Sequence, residues 1–214
     1  MWNRQELKAK GKAAFKANRW KCVLVAFIFS LVSGGVYSRF NVSDENTGAI
    51  ICLSLIACLL GIFLFNPIRF GCQHFFKKNS AAPAEPGEMG YGFKSNYGNI
   101  VLTLFLQALF TVLWSLLFII PGIVKAYSYR LVPYILSDNP DMQPTEAITK
   151  SREMMNGNKW NAFVLDLSFL GWAILGIITL GIVYVLYTQP YICATDAEIY
   201  NKLKGDSEEI PVEL

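Results

Sequence analysis

Four ionisable residues lie within long apolar runs of the sequence: Lys125, Arg130, Asp166 and Asp196. A charged side chain costs free energy inside a bilayer, so one that is retained there faces the interior of a helical bundle and forms an ion pair or a ligand site. We expect Arg130 to pair with Asp166 or Asp196, either as a structural link between helices or as part of a transport or binding site. Lys125 lies near a turn, and we expect it to extend to the membrane surface.

Residue types that support covalent or metal chemistry are scattered. The five cysteines contain no CxxC pair, and His74 is the sole histidine that could join them in a metal site. The sequence has no Walker motif, dinucleotide-binding glycine pattern, HExxH or GxSxG. A lipid-acting enzyme would have to use dispersed residues such as His74, Asp196, Glu198 and Tyr200. We therefore predict a protein without enzymatic activity, metal or cofactor.

The elements that position these residues are predicted to be membrane-spanning helices. Hydrophobic residues make up 53% of the sequence and charged residues 16%, whereas a soluble domain has about 25% charged residues. No charged residue occurs at 95–124 or at 167–195. Uncharged apolar runs of about 18 residues or more are candidate membrane spans. The composition therefore predicts an all-α membrane protein.

The apolar runs divide into six predicted transmembrane helices. The run at 95–124 is too long for one perpendicular crossing of a hydrocarbon core about 30 Å thick, and the Pro121-Gly122 pair predicts a turn within it. The last run divides in the same way near 179–181. The predicted crossings are 22–38, 49–68, 101–120, 123–137, 163–178 and 182–198. The fourth is short, and a re-entrant or tilted segment is the alternative for it.

Lysine and arginine residues predict the orientation of these crossings. Residues 1–21 carry seven of them against one acidic residue. The second and fourth connections hold Lys77, Lys78, Lys94, Lys150, Arg152 and Lys159. The first, third and fifth connections carry little beyond Arg39. Because positive residues concentrate on the cytoplasmic side, we predict a multi-pass protein with both termini in the cytoplasm.

One pattern occurs three times along the chain. An asparagine precedes the first, third and fifth crossings, and a proline lies in or near the end of the second, fourth and sixth: Asn18, Asn96, Asn158, Pro67, Pro133 and Pro190. We predict a single membrane domain, 1–214, of three repeated helical hairpins at about 1–79, 80–142 and 143–204, with an acidic tail at 205–214. A cytoplasmic amphipathic segment precedes each hairpin. Asparagine suits the corner between them because it tolerates the left-handed conformation and caps helices.

The first amphipathic segment has a basic stripe and an apolar face. The basic stripe consists of Arg4, Lys8, Lys12 and Lys16. The apolar face consists of Leu7, Gly11, Ala14 and Phe15. Such a segment is expected to lie on the inner membrane surface, where the stripe either binds anionic lipid, at about 1 kcal/mol per charge, or only sets the topology. Trp20 and Trp160 are expected at the headgroup level.

Three longer stretches carry a family resemblance. They are MWNRQELKAKGKAAFKAN at the start, IIPGIVKAYSYRLVPYIL in the middle, and PTEAITKSREMMNGNKWNAFVLDLSFLGW followed by YTQPYICATDAEIY. Together they resemble bacterial membrane proteins known as domain of unknown function 975, over nearly the whole chain. The resemblance implies a polytopic protein of the bacterial plasma membrane with no established activity. The stretch PTEAITKSREMM is also similar to membrane domains of some glycerophosphodiester phosphodiesterases, which implies an architecture and not an enzyme.

These observations leave three functional hypotheses. The first is a non-enzymatic small transporter, conduit or envelope-maintenance factor. The second is a scaffold or regulatory subunit that holds another membrane protein, or a second copy of this chain, through its inner helices and acidic tail. The third is a lipid-acting membrane enzyme, for which the sequence offers no clustered site. The basic N-terminal segment does not predict nucleic-acid binding, because no folded reading module accompanies it.

Overall fold

The described part of the chain is helical throughout. The computed structural model describes residues 2–33, 47–179 and 181–208, and these residues form no β-strand. Their α-helices are α1 (Arg4–Ala17), α2 (Arg19–Ser33), α3 (Thr47–Leu60), α4 (Asn66–Ala81), α5 (Tyr91–Lys94), α6 (Tyr97–Leu117), α7 (Ile119–Ser128), α8 (Val132–Asp138), α9 (Pro144–Met154), α10 (Lys159–Leu167), α11 (Leu170–Ile178) and α12 (Gln189–Glu208). The predicted all-α class is confirmed. Arg39 with its predicted loop, the end of the first predicted crossing, and residues 209–214 of the tail lie outside the described residues.

Three helical stretches are long and apolar enough to cross a membrane: Leu55–Ala81, Tyr97–Leu117 and Lys159–Ile178. Large apolar side chains along them are exposed, among them Leu59 and Ile177. Extended exposed apolar surface is typical of a protein that meets a membrane. These helices are consistent with a membrane protein.

Each of the repeated prolines follows an irregular turn. Pro67, Pro133 and Pro190 are each the second residue of a helix, in α4, α8 and α12. The π-helical turns Gly61–Phe65 and Tyr184–Thr188 precede the first and third of these helices, and a short turn precedes the second. Proline has no N–H to donate to the carbonyl four residues earlier, so a regular helix is interrupted there. Two of the three prolines therefore follow a π-helical turn, and the third follows a non-helical turn.

The apolar face of α1 is covered by protein and not by lipid. Leu7, Gly11 and Phe15 are buried, and α1 packs along α12. A Cβ atom on Gly11 would lie 2.8 Å from Oγ1 of Thr195, so the two helices are in close contact there. An amphipathic helix enters the membrane interface through its apolar face. The expectation that α1 lies on the membrane by this face is therefore wrong.

The second connection returns along α4. That helix continues to Ala81, beyond the predicted end of the second crossing at 68. A Cβ atom on Gly71 would lie 1.8 Å from the carbonyl oxygen of Met89, and one on Gly92 would lie 2.4 Å from that of Pro67. The backbones of α4 and the connection touch at both points, and only glycine allows this.

The repeated asparagines lie between helices but do not adopt the predicted left-handed conformation. Their φ angles are −134° at Asn18, −45° at Asn96 and −105° at Asn158. Of the three, Asn96 accepts a capping hydrogen bond, from the N–H of Asn99. The left-handed residue at the third junction is Gly157, with a φ of 75°, because glycine has no Cβ to clash there.

The predicted turn at Pro121-Gly122 lies inside α7. The chain reverses at Phe118, whose backbone is extended between α6 and α7. Pro121 stands in the first turn of α7, where its missing N–H costs no helical hydrogen bond. Gly122 lets α7 approach α6, because a Cβ there would lie 2.6 Å from Cα of Ser115. The turn after α11 lies where it was predicted, and Gly181 adopts a φ of 87° in it.

Candidate functional site

The guanidinium of Arg130 joins carboxylates from two other helices. Its Nη1 and Nη2 donate to the two oxygens of Asp166 at 2.8 and 2.9 Å, and Nη2 also donates to Oδ1 of Asp196 at 2.6 Å. The hydroxyl of Tyr127 donates to Oδ2 of Asp166 at 2.8 Å. A two-point contact between arginine and a carboxylate is a strong and directional one. These four residues, the Arg130 network, link the turn between α7 and α8 to α10 and α12.

A buried serine holds the turn that presents Arg130. Ser151 on α9 accepts a hydrogen bond from the N–H of Leu131 at 3.2 Å and donates one to the carbonyl of Ser128 at 2.8 Å. Ser151 is fully buried, so water does not compete for these bonds. The backbone on both sides of Arg130 is thereby fixed to α9.

Helix α6 donates side-chain hydrogen bonds to two carbonyl oxygens that lie four residues before a proline. The carbonyl of Tyr129 has no N–H from Pro133, and it accepts from the N–H of Val132 at 3.2 Å and from Nε2 of Gln107 at 3.1 Å. The hydroxyl of Tyr97 donates at 2.7 Å to the carbonyl of Phe63, which lies four residues before the first repeated proline. A backbone polar group left unpaired in lipid costs several kcal/mol, on the order of the full desolvation penalty. The hydrogen bond from Gln107 therefore joins α6 to the turn that carries Arg130.

The Arg130 network carries one positive and two negative charges when its side chains are ionised. The side chains of Arg130, Asp166 and Asp196 are 17%, 34% and 21% exposed. Pairing has to offset the cost of removing these charges from water. One carboxylate charge is left unbalanced, and a proton or another cation can neutralise it. Protonatable carboxylates inside helical bundles are typical of ion and proton pathways.

A cavity of about 200 Å³ lies against Arg130. Its polar groups come from Asn66, Arg69, Gln73, Gln107 and Arg130, and no carboxylate is among the described residues that line it. We call this space the polar cavity. Arg69 was not singled out from the sequence, because a cation just after a predicted crossing is typical of a topology signal.

Lys125 takes no part in the Arg130 network. Its Nζ lies 4.7 Å from the ring centre of Trp114 on α6, within the range of a cation–π contact. The structure therefore brings together three of the four ionisable residues singled out in the sequence and leaves Lys125 apart.

The packing of α1 divides the basic stripe. Its exposed members are Arg4, Lys12 and Lys16. Lys8 instead donates to Oγ of Ser168 at 3.1 Å and lies 4.5 Å from the ring centre of Phe169. Burial lowers the pKa of Lys8. Trp20 and Trp160 are 78% and 70% exposed, which suits contact with lipid headgroups.

A second polar cluster surrounds Asp138 at the end of α8. Lys77 of α4 and Lys204 of α12 form ion pairs with its carboxylate, and Tyr200 donates a hydrogen bond to it. Burial alone would raise the pKa of Asp138, but the hydrogen bonds from Lys77 and Tyr200 bring the pKa below its ordinary value. Asp138 was not singled out from the sequence, because an acidic residue directly after an apolar run is common.

His74 belongs to a buried network. Its Nδ1 lies 2.5 Å from Oγ of Ser137, and its Nε2 lies 3.5 Å from Oε2 of Glu88. Serine, histidine and a carboxylate in this order also occur in hydrolases. Here Ser137 is 6% exposed and the ring of Tyr91 stacks on His74 with centres 3.8 Å apart, so a substrate does not reach the serine. In the described ranges, no three His, Cys, Asp or Glu side chains form a group that could hold a metal ion.

Part of the chain matches a known protein family. Residues 116–207 match the family described as "Protein of unknown function (DUF975)". This match confirms the resemblance to that family over residues 116–207, a region that contains the whole Arg130 network. No curated protein and no solved structure matches the chain. The comparisons give no support to the likeness to glycerophosphodiester phosphodiesterase membrane domains.

Proposed function

With residues 116–207 matched to the DUF975 family, we propose that the chain is a non-enzymatic transporter or conduit of the bacterial plasma membrane. The observation that carries the proposal is the position of the Arg130 network beside the polar cavity. Paired and unbalanced charges next to a space of about 200 Å³ are suited to a polar group that enters and leaves the bundle.

The proposal includes six crossings with both termini in the cytoplasm. The three candidate spans supply the second, third and fifth crossings, and α2 is the described part of the first. The reversal at Phe118 and the turn at Gly181 would then lie on the outer side, and the return segment along α4 on the inner side. The fourth crossing consists of α7 and α8 with the Arg130 turn between them, and the sixth leads into α12.

Irregular helical turns are points at which the helices of this bundle can change conformation. The π-helical turns Gly61–Phe65 and Tyr184–Thr188 lie next to α4 and α12, which carry Arg69 and Asp196. Such turns are frequent at functional sites. Each of α10 and α12 contributes one carboxylate partner of Arg130. Loss of one of these two pairs would free one helix from the Arg130 turn while the other stays attached.

Anionic lipid is the partner that the exposed residues of α1 fit. The exposed members of the basic stripe and the two exposed tryptophans support contact with headgroups, through charge and not through the covered apolar face.

Flux through proteoliposomes tests the proposal. The purified full chain is reconstituted, and release of potassium, chloride, inorganic phosphate and a fluorescent phosphatidylglycerol across the bilayer is followed separately. We expect flux of at least one of these probes above protein-free vesicles, and its loss in Arg130→Gln and Asp166→Asn. Lys125→Gln, which leaves the Arg130 network intact, is the matched control and should keep the flux.

Absence of flux for all four probes would contradict the proposal. It would favour the scaffold or regulatory role, which cross-linking in cells detects as one reproducible membrane-protein partner or a second copy of the chain. Flux that remains in Arg130→Gln would show that transport does not depend on the Arg130 network.

A further inference from the structure

An apolar groove adjoins the polar cavity. The groove has a volume of about 360 Å³, and its lining includes Ile62, Phe63, Val101, Leu102 and Phe105. The helical stretch that carries Phe63 continues into the part of α4 that lines the polar cavity, and α6 contributes to both spaces. The apolar groove and the polar cavity thus lie side by side along one pair of helices.

Arg69 supplies a positive charge without an acidic partner. No carboxylate of the described residues lies within ion-pair distance of its guanidinium, and its nearest aromatic contact is the ring of Phe29 at 5.9 Å. The side chain is exposed, so the polar cavity opens on the side of Arg69. A guanidinium binds phosphate through two parallel hydrogen bonds.

The remaining polar groups of the cavity also favour an anion. The carboxylates of Asp166 and Asp196 occupy three of the five N–H donors of Arg130. Asn66 and Gln73 add amide groups that can donate hydrogen bonds. The charge of Arg130 is already balanced by Asp166 and Asp196, so the preference of the cavity for an anion rests on Arg69.

We propose that the polar cavity and the apolar groove together bind one anionic phospholipid, with its phosphate at Arg69 and an acyl chain in the groove. The inference deepens the proposed function, on which it rests for its biological role, because it names the substrate class. A free phosphate ion would use the cavity alone. The apolar groove beside it makes the lipid the better fit, because a single site then receives both ends of an amphipathic molecule.

Lipid binding to the purified full chain tests this inference without measuring transport. The delipidated protein in detergent is titrated with dioctanoyl phosphatidylglycerol, and bound lipid is counted by native mass spectrometry. Loss of one charge-assisted hydrogen-bonding group weakens binding about tenfold, which is the effect expected for Arg69→Gln. Arg69→Lys should keep part of the affinity. Leu102→Trp, which fills the groove, should also weaken the binding of this lipid.

Two controls test where the lipid binds and whether a free phosphate ion can take its place. Lys12→Gln removes an exposed charge of the basic stripe and should leave the affinity unchanged. Inorganic phosphate at millimolar concentration should not displace the lipid. Equal weakening by Lys12→Gln and Arg69→Gln, displacement by inorganic phosphate, or unchanged binding in both Arg69→Gln and Leu102→Trp would each overturn the inference. Intact lipid binding with no flux would instead contradict the transport function alone.

Discussion

Gln107 donates a hydrogen bond at 3.1 Å to the carbonyl oxygen of Tyr129, which lies four residues before Pro133 and also accepts one from the N–H of Val132 at 3.2 Å. Because Tyr129 directly precedes Arg130, the bond fastens the turn that carries the guanidinium to α6. The side chain of Gln107 thus adds a second hydrogen bond to a carbonyl that has no donor at Pro133. The Arg130 turn is held by α6 on one side and by Ser151 of α9 on the other.

Gln107→Leu is expected to lower the free energy of unfolding by about 1 kcal/mol, since the carbonyl of Tyr129 loses a donor. Thermal unfolding in detergent measures the effect. In a Pro133→Ala background the loss should be smaller, because alanine restores an N–H for the same carbonyl. An equal loss of stability in the two backgrounds would show that the bond from Gln107 does not compensate for the missing N–H of Pro133.

Arg130→Leu is expected to lower the free energy of unfolding more than the loss of either carboxylate does. The substitution leaves two carboxylates without their cation, and breaking a buried pair in this way costs about 3–5 kcal/mol. Asp166→Asn should cost less, because Asp196 remains paired with Arg130. Thermal unfolding of the variants in one detergent ranks their stabilities.

Lys125→Leu is the control for the Arg130 substitution. It removes a cation from the same helical stretch but only a cation–π contact with Trp114, worth about 1 kcal/mol or less. An Arg130→Leu protein as stable as Lys125→Leu would contradict the structural role of the Arg130 network.

Gly71→Ala should detach the second connection from α4. An added Cβ would lie 1.8 Å from the carbonyl oxygen of Met89, and overpacking of this kind costs about 1–3 kcal/mol. Limited proteolysis should then cut residues 82–96 faster than in the parent protein. Gly87→Ala is the matched control, because a Cβ there meets nothing within 4 Å. Equal cleavage rates in both variants would contradict the close contact between α4 and the second connection.

Stability should fall in acid through Asp138. Its pKa in the folded protein is lowered from the ordinary value of 3.8 by hydrogen bonds from Lys77 and Tyr200, which outweigh the effect of burial. The carboxylate therefore stabilises the fold at pH values above its unfolded pKa, near about 3.9, and this contribution is lost as the pH falls through the folded pKa. Asp138→Asn should flatten the dependence of the unfolding temperature between about pH 5 and 3. An unchanged profile in Asp138→Asn would refute the assignment.

Sequence patterns predicted the Arg130 contacts well, for a physical reason. A charged side chain within an apolar run needs a partner of opposite charge. Few acidic residues occur in the apolar runs, so Asp166 and Asp196 were the candidates. Arg69 could not be found in this way, because a cation close to the end of a predicted crossing has a sufficient explanation in the topology. Its importance comes from the cavity that it lines together with Gln73 and Arg130, which only the folded chain reveals.

The arrangement of α1 was not predictable from its own residues. An apolar face of Leu7, Gly11 and Phe15 has the same periodicity whether it meets lipid or another helix, and the deciding contact, Thr195, lies far along the chain. The conformation of Asn158 was mispredicted because the neighbouring Gly157 takes the left-handed position at lower cost.

Cysteine-accessibility labelling tests the six-crossing arrangement around the Arg130 network most directly. In a chain without its native cysteines, single cysteines replace Phe118, Thr179, Ser80 and Asn156, and spheroplasts are treated with a membrane-impermeant maleimide. We expect labelling at 118 and 179 in intact spheroplasts, and at 80 and 156 only after permeabilisation. Labelling of 118 and 80 from the same side would place α6 outside a full crossing and contradict the bundle that holds Arg130 within the membrane.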